Sequence, residues 1–268
     1  MKIYKMYFSP TGTTEKIANE ISGNIAKNFN EEVISCDFTL KLAREREYTF
    51  KKDDLLIIGV PTYAGRVPNV LLDFLTHNIK SNGALVLPFV LFGNRNYDES
   101  LMELLMILNT NGFVNVGAGA FVGEHSFSRK LGANRPDLAD LLQAKELSGM
   151  VCDRILGGIC ENNIKIDENY KIKPYYTPRD RNGVGVNILK VKPKTNDKCD
   201  DCKICAKICP MGSISFENPR EVIGICIKCG ACEKKCPQNA KYYDDANYLY
   251  HKFELEEQFE RRANNVIF

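Results

Sequence analysis

The chain has 268 residues, of which 44% are hydrophobic and 26% are charged, and its net charge is +2. This composition is typical of an ordinary soluble globular protein. No stretch approaches the about 18 apolar residues that a membrane span requires, and lysines scattered among acids give no electrostatic basis for nucleic-acid binding. The length predicts two domains, one of about 150 residues and one smaller.

A short apolar run opens the chain and ends in a loop rich in hydroxyl groups. Residues 2–8 favour a strand, a helical pattern starts at Glu15, and the sequence Ser9-Pro10-Thr11-Gly12-Thr13-Thr14 lies between them. A loop that leads into a helix N-terminus presents free N–H groups and the positive end of the helix dipole. The loop therefore predicts a phosphate site, and helix capping by the same hydroxyl groups is the alternative.

Apolar strands and helical patterns then alternate up to Leu156. Further strands are predicted at 32–38, 55–60, 85–92 and 114–122, and helices around 71–75, 101–108 and 136–156. Continuous apolar strands that alternate with helices indicate a parallel sheet covered on both faces. The predicted fold class is an α/β doubly wound parallel five-stranded sheet. Pro88 is unusual for a central strand and makes the limits of the fourth strand uncertain.

Two further loops follow the third and fourth strands. One begins Pro61-Thr62-Tyr63-Ala64-Gly65-Arg66, and the other is Gly93-Asn94-Arg95-Asn96-Tyr97. In open α/β sheets, ligands bind beyond the carboxyl ends of the strands, where these two loops and the first one meet. This placement strengthens the phosphate prediction. NAD-type binding is not predicted, because no G-x-G-x-x-G sequence opens the first helix.

The first loop resembles the FMN-phosphate loop of flavodoxins, and the segments at Tyr63 and Tyr97 sit where flavodoxins place their flavin-flanking loops. The resemblance covers about residues 1–157, with Ser9 and Thr13 where flavodoxins usually have Thr and Asn. It implies an FMN site with tyrosines beside the ring. The residues implied are Ser9, Thr11, Gly12, Thr13, Thr14, Pro61, Thr62, Tyr63, Ala64, Gly65, Gly93, Asn94, Arg95, Asn96 and Tyr97.

Three more side chains lie near the implied flavin edge. Arg66 and Arg95 occupy loops that carry acids in many flavodoxins, and a cation there would ease flavin reduction. Solvated surface side chains are the alternative for both. His125, next to Glu124 in the loop after the fifth strand, is a candidate for proton handling because imidazole titrates near neutrality. A purely structural hydrogen bond is the favoured interpretation of His125.

Polar residues follow the α/β region, and they separate it from a cysteine-rich segment. We predict a first domain at 1–160, a linker at 161–196 with some strand character, a small domain at 197–243 and a C-terminal helix at 244–268. The helix is inferred from apolar residues near helical spacing at Leu249, Phe253 and Phe259.

Two cysteine runs in the small domain share the spacing C-x2-C-x2-C-x3-C-P. Thiolates at two-residue spacing can reach three corners of a 4Fe–4S cubane, and the fourth cysteine leads away. In two-cluster ferredoxins the fourth cysteine ligates the other cluster. The spacing therefore predicts two clusters. One is assigned to Cys199, Cys202, Cys205 and Cys236, and the other to Cys226, Cys229, Cys232 and Cys209.

Zinc and disulfides are weaker interpretations of these cysteines. A zinc ribbon gives no reason for a third cysteine two residues after each pair. Disulfides suit small secreted chains, and the N-terminus lacks the pattern of a signal peptide, so we expect a reducing cytoplasm. Cys36, Cys152 and Cys160 lie outside both runs and are assigned no role.

The whole chain resembles flavodoxin–ferredoxin fusion proteins of anaerobes. The resemblance implies an electron-transfer protein in which two 4Fe–4S clusters and FMN exchange electrons with each other and with external redox partner proteins. An FMN-dependent reductase of a small oxidised organic substrate is the alternative, and a redox sensor is a third class without specific residues in support. The sequence leaves open whether flavin and cluster face each other within one chain or across a homodimer.

Overall fold

A computed structural model describes residues 1–158, 161–167 and 169–268, so Cys160 lies outside the described residues. The first region contains β1 (Lys2–Tyr7), α1 (Thr13–Phe29), β2 (Val33–Asp37), a 3-10 turn (Lys41–Glu45), β3 (Tyr48–Phe50), β4 (Asp54–Pro61), α2 (Asn69–His77), β5 (Ile79–Ser81), β6 (Leu85–Phe92), α3 (Ser100–Thr110), β7 (Val114–Asn115), β8 (Gly119–Val122) and α4 (Leu138–Leu156). The second contains β9 (Lys194–Thr195), α5 (Ile204–Lys207), α6 (Ala231–Lys234), β10 (Lys241–Tyr242), α7 (Ala246–Gln258) and β11 (Val266–Ile267). Within the described ranges, no helix combines the length and apolar character needed to cross a membrane.

The central sheet has the order β2-β1-β4-β6-β8, and these strands are parallel. This is the flavodoxin-like doubly wound order, which confirms the predicted α/β fold class. The fifth predicted strand is broken into β7 and β8, which both pair with β6. β11 adds an antiparallel strand outside β8, an element that the sequence pattern did not predict.

The break between β7 and β8 explains how Pro88 fits a central strand. The carbonyls of Val86 and Phe92 accept hydrogen bonds from Val116 and Gly123, so this set of alternate residues faces the β7–β8 side. Pro88 belongs to the same set, and it lies opposite the gap between Asn115 and Gly119. Its missing N–H group therefore interrupts no strand pairing.

Helices cover both faces of the sheet. α1 directs Ile17, Ile21 and Ile25 at helical spacing into a core shared with α4, while α2 and α3 build the core on the opposite face. Every residue of β4 except Pro61 is buried, as the continuous apolar run predicts. The carboxyl ends of the strands, with the three predicted loops, lie at one edge.

The cysteine-rich region is built from two copies of one local structure, 27 residues apart in the sequence. α5 and α6 are four-residue helices in equivalent positions. Each is preceded by residues with positive φ, which are Asp201 and Lys203 in the first copy and Lys228 and Gly230 in the second. β9 and β10 pair at the base of this region.

The C-terminal helix predicted over 244–268 is shorter than expected. α7 ends at Gln258, and the residues after it return to the large sheet and form β11. The side-chain amide of Asn94 donates to the carbonyls of Phe259 and Arg261, both at 2.7 Å, and its oxygen accepts from the N–H of Ala263 at 3.1 Å. These long-range contacts, which helical spacing cannot reveal, direct the tail away from a continued helix.

A buried ion pair fastens the tail to α4, and it yields a stability prediction. Arg135 pairs with Asp140, which is fully buried and also accepts from Asn265 of the tail at 2.8 Å. We expect Asp140→Asn to lower the free energy of unfolding by about 3–5 kcal/mol, because it leaves the Arg135 charge buried and unpaired. Urea unfolding followed by circular dichroism measures the change.

The control is Asp73→Asn, which alters an exposed carboxylate on α2 that pairs with His77 on the surface. It should change the free energy by no more than about 0.5 kcal/mol. If Asp140→Asn lowered the free energy of unfolding by less than about 1 kcal/mol, the buried ion pair would not stabilise the fold as predicted.

Candidate functional site

The loop after β1 has the features of an anion site at the start of α1. The hydroxyl groups of Thr11 and Thr13 lie 3.4 Å apart and, with Thr14, line a small cavity. The N–H groups of Thr13 and Thr14 have no acceptor among the described residues. Free N–H groups and hydroxyl groups at a helix N-terminus suit a phosphate.

Ser9 and Gly12 of the same loop do not line the cavity. The Ser9 hydroxyl accepts from the N–H of Glu15 at 2.9 Å, and the Ser9 N–H donates to the Thr39 hydroxyl at 2.8 Å. Ser9 thus caps α1, as the capping alternative expected. Gly12 supplies a positive φ of 96°, which turns the chain into the helix.

The small cavity adjoins a second cavity of about 720 Å³. The two share part of their lining, which includes Thr62, Tyr63, Gly93 and His125. A volume of this size is within the usual range for ligand sites, which is about 300–1,000 Å³. The shared walls place the two cavities side by side at the carboxyl edge of the sheet.

The loop after β4 reaches these cavities through a tight turn. Tyr63 and Arg66 exchange backbone hydrogen bonds of 2.9 and 3.1 Å, and the two residues between them, Ala64 and Gly65, have φ of 50° and 77°. A Cβ on Gly65 would lie 2.5 Å from the carboxylate of Asp98. The turn brings the backbone of Ala64 and Gly65 to the cavity wall, as the sequence predicts.

The loop after β6 contributes only part of its predicted residues. Gly93, Arg95 and Asn96 line the large cavity, but Asn94 and Tyr97 do not. Asn94 is occupied with the C-terminal tail, and the Tyr97 ring packs on Phe92 with centroids 5.6 Å apart. Tyr97 therefore does not lie where the resemblance placed a flavin-flanking ring.

The predicted linker supplies the missing aromatic wall. Tyr175 and Tyr176 line the large cavity, and their chain segment is held by the loop after β4. The Tyr176 N–H donates to the carbonyl of Ala64, and the Tyr175 hydroxyl donates to the carbonyl of Val67, both at 2.8 Å. Two adjacent tyrosines between Pro174 and Pro178 were the only sequence sign of this role.

Arg66 and Arg95 hold these tyrosines by their ring faces. The Arg66 guanidinium lies 4.4 Å from the centre of the Tyr175 ring, and that of Arg95 lies 4.5 Å from Tyr176. Arg66 also forms an ion pair with the buried Glu103, whose hydrogen bond raises the pKa of Arg66. Arg66 is therefore neither a cation facing the cavity nor a solvated surface residue, whereas Arg95 lines the cavity.

His125 is held in one neutral form at the junction of the two cavities. The N–H of Phe127 donates to its Nδ1 at 3.1 Å, so the proton lies on Nε2. Burial, with Lys234, His251 and Arg95 nearby, lowers the pKa of His125 to about 3. At neutral pH this side chain can donate a hydrogen bond, but it is not a source of protons for a reaction.

The eight cysteines of the two runs form two quartets, each around its own cavity. The first quartet is Cys199, Cys202, Cys205 and Cys236, and the second is Cys209, Cys226, Cys229 and Cys232. Each quartet takes three thiols from one run and the fourth from the other. The Sγ atoms of Cys209 and Cys236 accept from the N–H groups of Ser213 and Ala240, both at 3.3 Å.

The donor sets fit iron–sulfur clusters. Burial raises the pKa of Cys229 to about 12, so a thiolate at this position requires a strong positive partner such as iron. Backbone N–H groups that donate to sulfur are a feature by which proteins hold and tune such clusters. Among the described residues, no group of three or more ligating side chains is gathered as for a single metal ion.

The second quartet shares walls with the candidate flavin site. Cys229 lines the small cavity and Cys226 lines the large one. Tyr63 lines both cavities, and burial together with these two cysteines raises the pKa of Tyr63 well above the usual value. The first quartet lines neither of these two cavities, and its Cys202 is exposed.

Contacts at the loop after β8 hold the cysteine-rich region in this position. The amino group of Lys234 donates to the side chain of Glu124 and to the carbonyls of His125 and Ser128 at 2.6 and 2.9 Å. A Cβ on Gly230 would lie 2.4 Å from the carbonyl oxygen of Ser126. Only glycine permits this approach of the two backbones.

One comparison with known proteins concerns the cysteine-rich region. A family model described as a 4Fe-4S binding domain matches residues 196–212 and 223–244, which contain both cysteine runs. The chain therefore joins a flavodoxin-like α/β domain to an iron–sulfur region that binds at least one 4Fe–4S cluster. No curated protein matches the chain.

Several solved structures are similar to part of this chain. A flavodoxin from the domain Archaea is 18% identical, covers 58% of this chain and 99% of its own, and has a TM-score of 0.43. A flavodoxin from Streptococcus pneumoniae TIGR4 is 16% identical, with coverage of 57% and 99% and a TM-score of 0.41. Flavodoxin 2 from Bacillus cereus is 21% identical, with coverage of 57% and 99% and a TM-score of 0.39.

The buried histidines predict that acid destabilises the protein. His251 on α7 is 8% exposed, and burial together with Arg95 lowers its pKa to about 4. The unfolded chain takes up this proton below about pH 6.5 and the folded chain only near pH 4, so stability falls as pH falls through this window. For His251 alone the loss between pH 7 and pH 5 should be about 2 kcal/mol.

We expect His251→Gln to remove that part of the loss, measured as the free energy of unfolding in urea at pH 7 and pH 5. The control is His77→Gln, because the His77 side chain is 67% exposed on α2. It should keep the wild-type pH dependence. Equal pH dependence in His251→Gln and the wild-type protein would show that His251 does not resist protonation.

Proposed function

We propose that the protein transfers electrons between two 4Fe–4S clusters and an FMN, and exchanges them with external redox partner proteins. The observation that carries this proposal is the common wall between the second thiol quartet and the candidate flavin cavity, formed by Cys226 and Cys229. When bound, the clusters supply one-electron chemistry and FMN supplies one- or two-electron chemistry. One chain then provides both carriers at a fixed separation, which replaces a diffusive encounter.

Two clusters are supported by the two cavities, each with a complete set of four thiols. The crossing of Cys209 and Cys236 between the runs matches the ligand pattern of two-cluster ferredoxins. The repeated local structure at α5 and α6 supports equal cluster types in both halves.

FMN is supported by the combination of an anion site with a cavity that has aromatic walls. Thr11, Thr13 and Thr14 would hold the phosphate with hydroxyl and N–H groups. Tyr63 and Tyr176 would contact the ring system, and Tyr176 takes the place that the sequence analysis gave to Tyr97. The cavity lining also contains Thr62, Ala64, Gly65, Gly93, Arg95, Asn96 and His125.

The arrangement supports an ordered path through the chain. The first quartet includes the exposed Cys202, whereas the second shares walls with the flavin cavity. A partner protein can therefore approach the first quartet most closely. The reductase alternative has less support, since His125 is neutral and held by Phe127.

Metal and flavin contents of anaerobically purified protein test the proposal. We expect about eight irons and one FMN per chain, with two cluster signals in an EPR-monitored redox titration. Fewer than about four irons, or no bound FMN after reconstitution, would refute it. Cys236→Ala should halve the iron content and remove the cluster of the other run, that of Cys199, Cys202 and Cys205.

The cluster that remains in Cys236→Ala is expected to be the one beside the flavin, so flavin reduction should still alter its EPR signal. Loss of that flavin-sensitive cluster instead would show that each run ligates its own cluster. Cys152→Ala is the matched control, because Cys152 is buried in α4 outside both quartets. It should leave the iron content unchanged.

Thr13→Val tests the phosphate site. A hydrogen bond to a charged group contributes about 1.5–3 kcal/mol, so we expect the Kd for FMN to rise about 10–100-fold in a fluorescence titration. Riboflavin lacks the phosphate, and its Kd should be the same in the variant and the wild type. Thr110→Val, at the exposed end of α3, is the control protein. If Thr13→Val weakens the binding of riboflavin and of FMN equally, Thr13 does not bind the phosphate group.

A further inference from the structure

The two halves of the cysteine-rich region differ at one buried position. Ile214 and Lys241 each lie five residues after the fourth cysteine of their run. Both are buried, with 7% and 3% of their surface exposed. Ile214 lines the cavity of the second quartet, and Lys241 lines that of the first. The repeat therefore places an apolar side chain beside one quartet and an amino group beside the other.

The Lys241 amino group has no acidic partner among the described residues. It donates to the Thr195 hydroxyl at 2.7 Å and to the carbonyl of Pro219, both neutral groups. The pairing of β9 with β10 sets Lys241 opposite Thr195 and so fixes the first of these contacts. A buried ammonium group is costly unless an anion compensates it. The cavity that Lys241 lines contains four cysteines, so the compensating anion is expected there.

We propose that Lys241 is the counter-charge of the first thiol quartet, and that it makes the cluster held there easier to reduce than the cluster of the second quartet. This inference rests on the proposed function, in which both quartets hold clusters. Four thiolates give a 4Fe–4S centre a net negative charge, and reduction adds another. A nearby buried cation favours the reduced form, and its effect is strong because little water screens it.

Two other lysines near the quartets do not remove this asymmetry. Lys203 lines the cavity of the first quartet, with its amino group 3.9 Å from Asp201. Lys228 donates to the carbonyls of Leu189 and Cys226 beside the second quartet. Both side chains are more exposed than Lys241, and solvent screens their charges more strongly. The cluster of the first quartet is therefore expected to take up the first electron.

Lys241→Met tests the inference, since it keeps an unbranched side chain and removes the charge. The measurement is an EPR-monitored redox titration of the cluster-loaded protein. We expect the reduction potential of the more easily reduced cluster to fall by at least about 59 mV, which is a tenfold change in the equilibrium constant for one electron. The other cluster should shift less. Lys207→Met, which removes an exposed charge on α5, is the control and should leave the reduction potentials of both clusters unchanged.

Each outcome decides between a role for charge and a role for packing. Unchanged potentials in Lys241→Met, or equal shifts of both clusters, overturn the inference. If Lys241→Met fails to retain iron, Lys241→Arg should retain two clusters in their wild-type order of reduction, because it keeps the charge. Loss of iron in both variants overturns the inference in favour of a packing role. Absence of two clusters from the wild-type protein refutes the proposed function instead.

Discussion

The contact between the second cysteine run and the loop after β8 is the constraint on which the rest of the arrangement depends. Gly230 brings one backbone against Ser126 at a distance that no side chain would allow. The ammonium group of Lys234 then donates hydrogen bonds to a carboxylate and to two carbonyls of that same loop. Because both contacts lie within a few residues of Cys229 and Cys232, they fix the second quartet against the cavity beside His125.

Two chain connections reinforce this contact, one before the cysteine-rich region in the sequence and one after it. Before the cysteine-rich region, the segment at Tyr175 and Tyr176 is fastened to the loop after β4. After that region, the tail is fastened by Asn94 and ends as β11 on the large sheet. Because the cysteine-rich region is attached at both ends, it loses less conformational freedom on docking to the α/β region than a free domain would. The docked arrangement is therefore more stable than its direct contacts alone would make it.

The sequence predicted most of the fold and the grouping of the cysteine thiols because both depend on local patterns. Apolar runs gave the parallel strands, and cysteine spacing gave the grouping of thiols. The functions of Asn94 and Tyr176 depend instead on contacts between distant parts of the chain. Asn94 meets residues more than 160 positions away, and no local pattern reports such a partner. Arg66 was misjudged for the same reason, since Glu103 lies on a later helix.

The differences between the two halves of the cysteine-rich region identify where a repeated unit became specialised. Equivalent positions carry the same cysteines, four-residue helices of the same placement and backbone with positive φ. The halves differ where one of them meets other parts of the chain. Lys203 corresponds to Gly230, and a side chain at the second position would collide with Ser126. Lys207 is exposed on α5, whereas the amino group of its counterpart, Lys234, donates hydrogen bonds to the loop after β8. A few substitutions in a repeated unit are therefore enough to set one quartet against the candidate flavin cavity, while the other quartet keeps an exposed cysteine, Cys202.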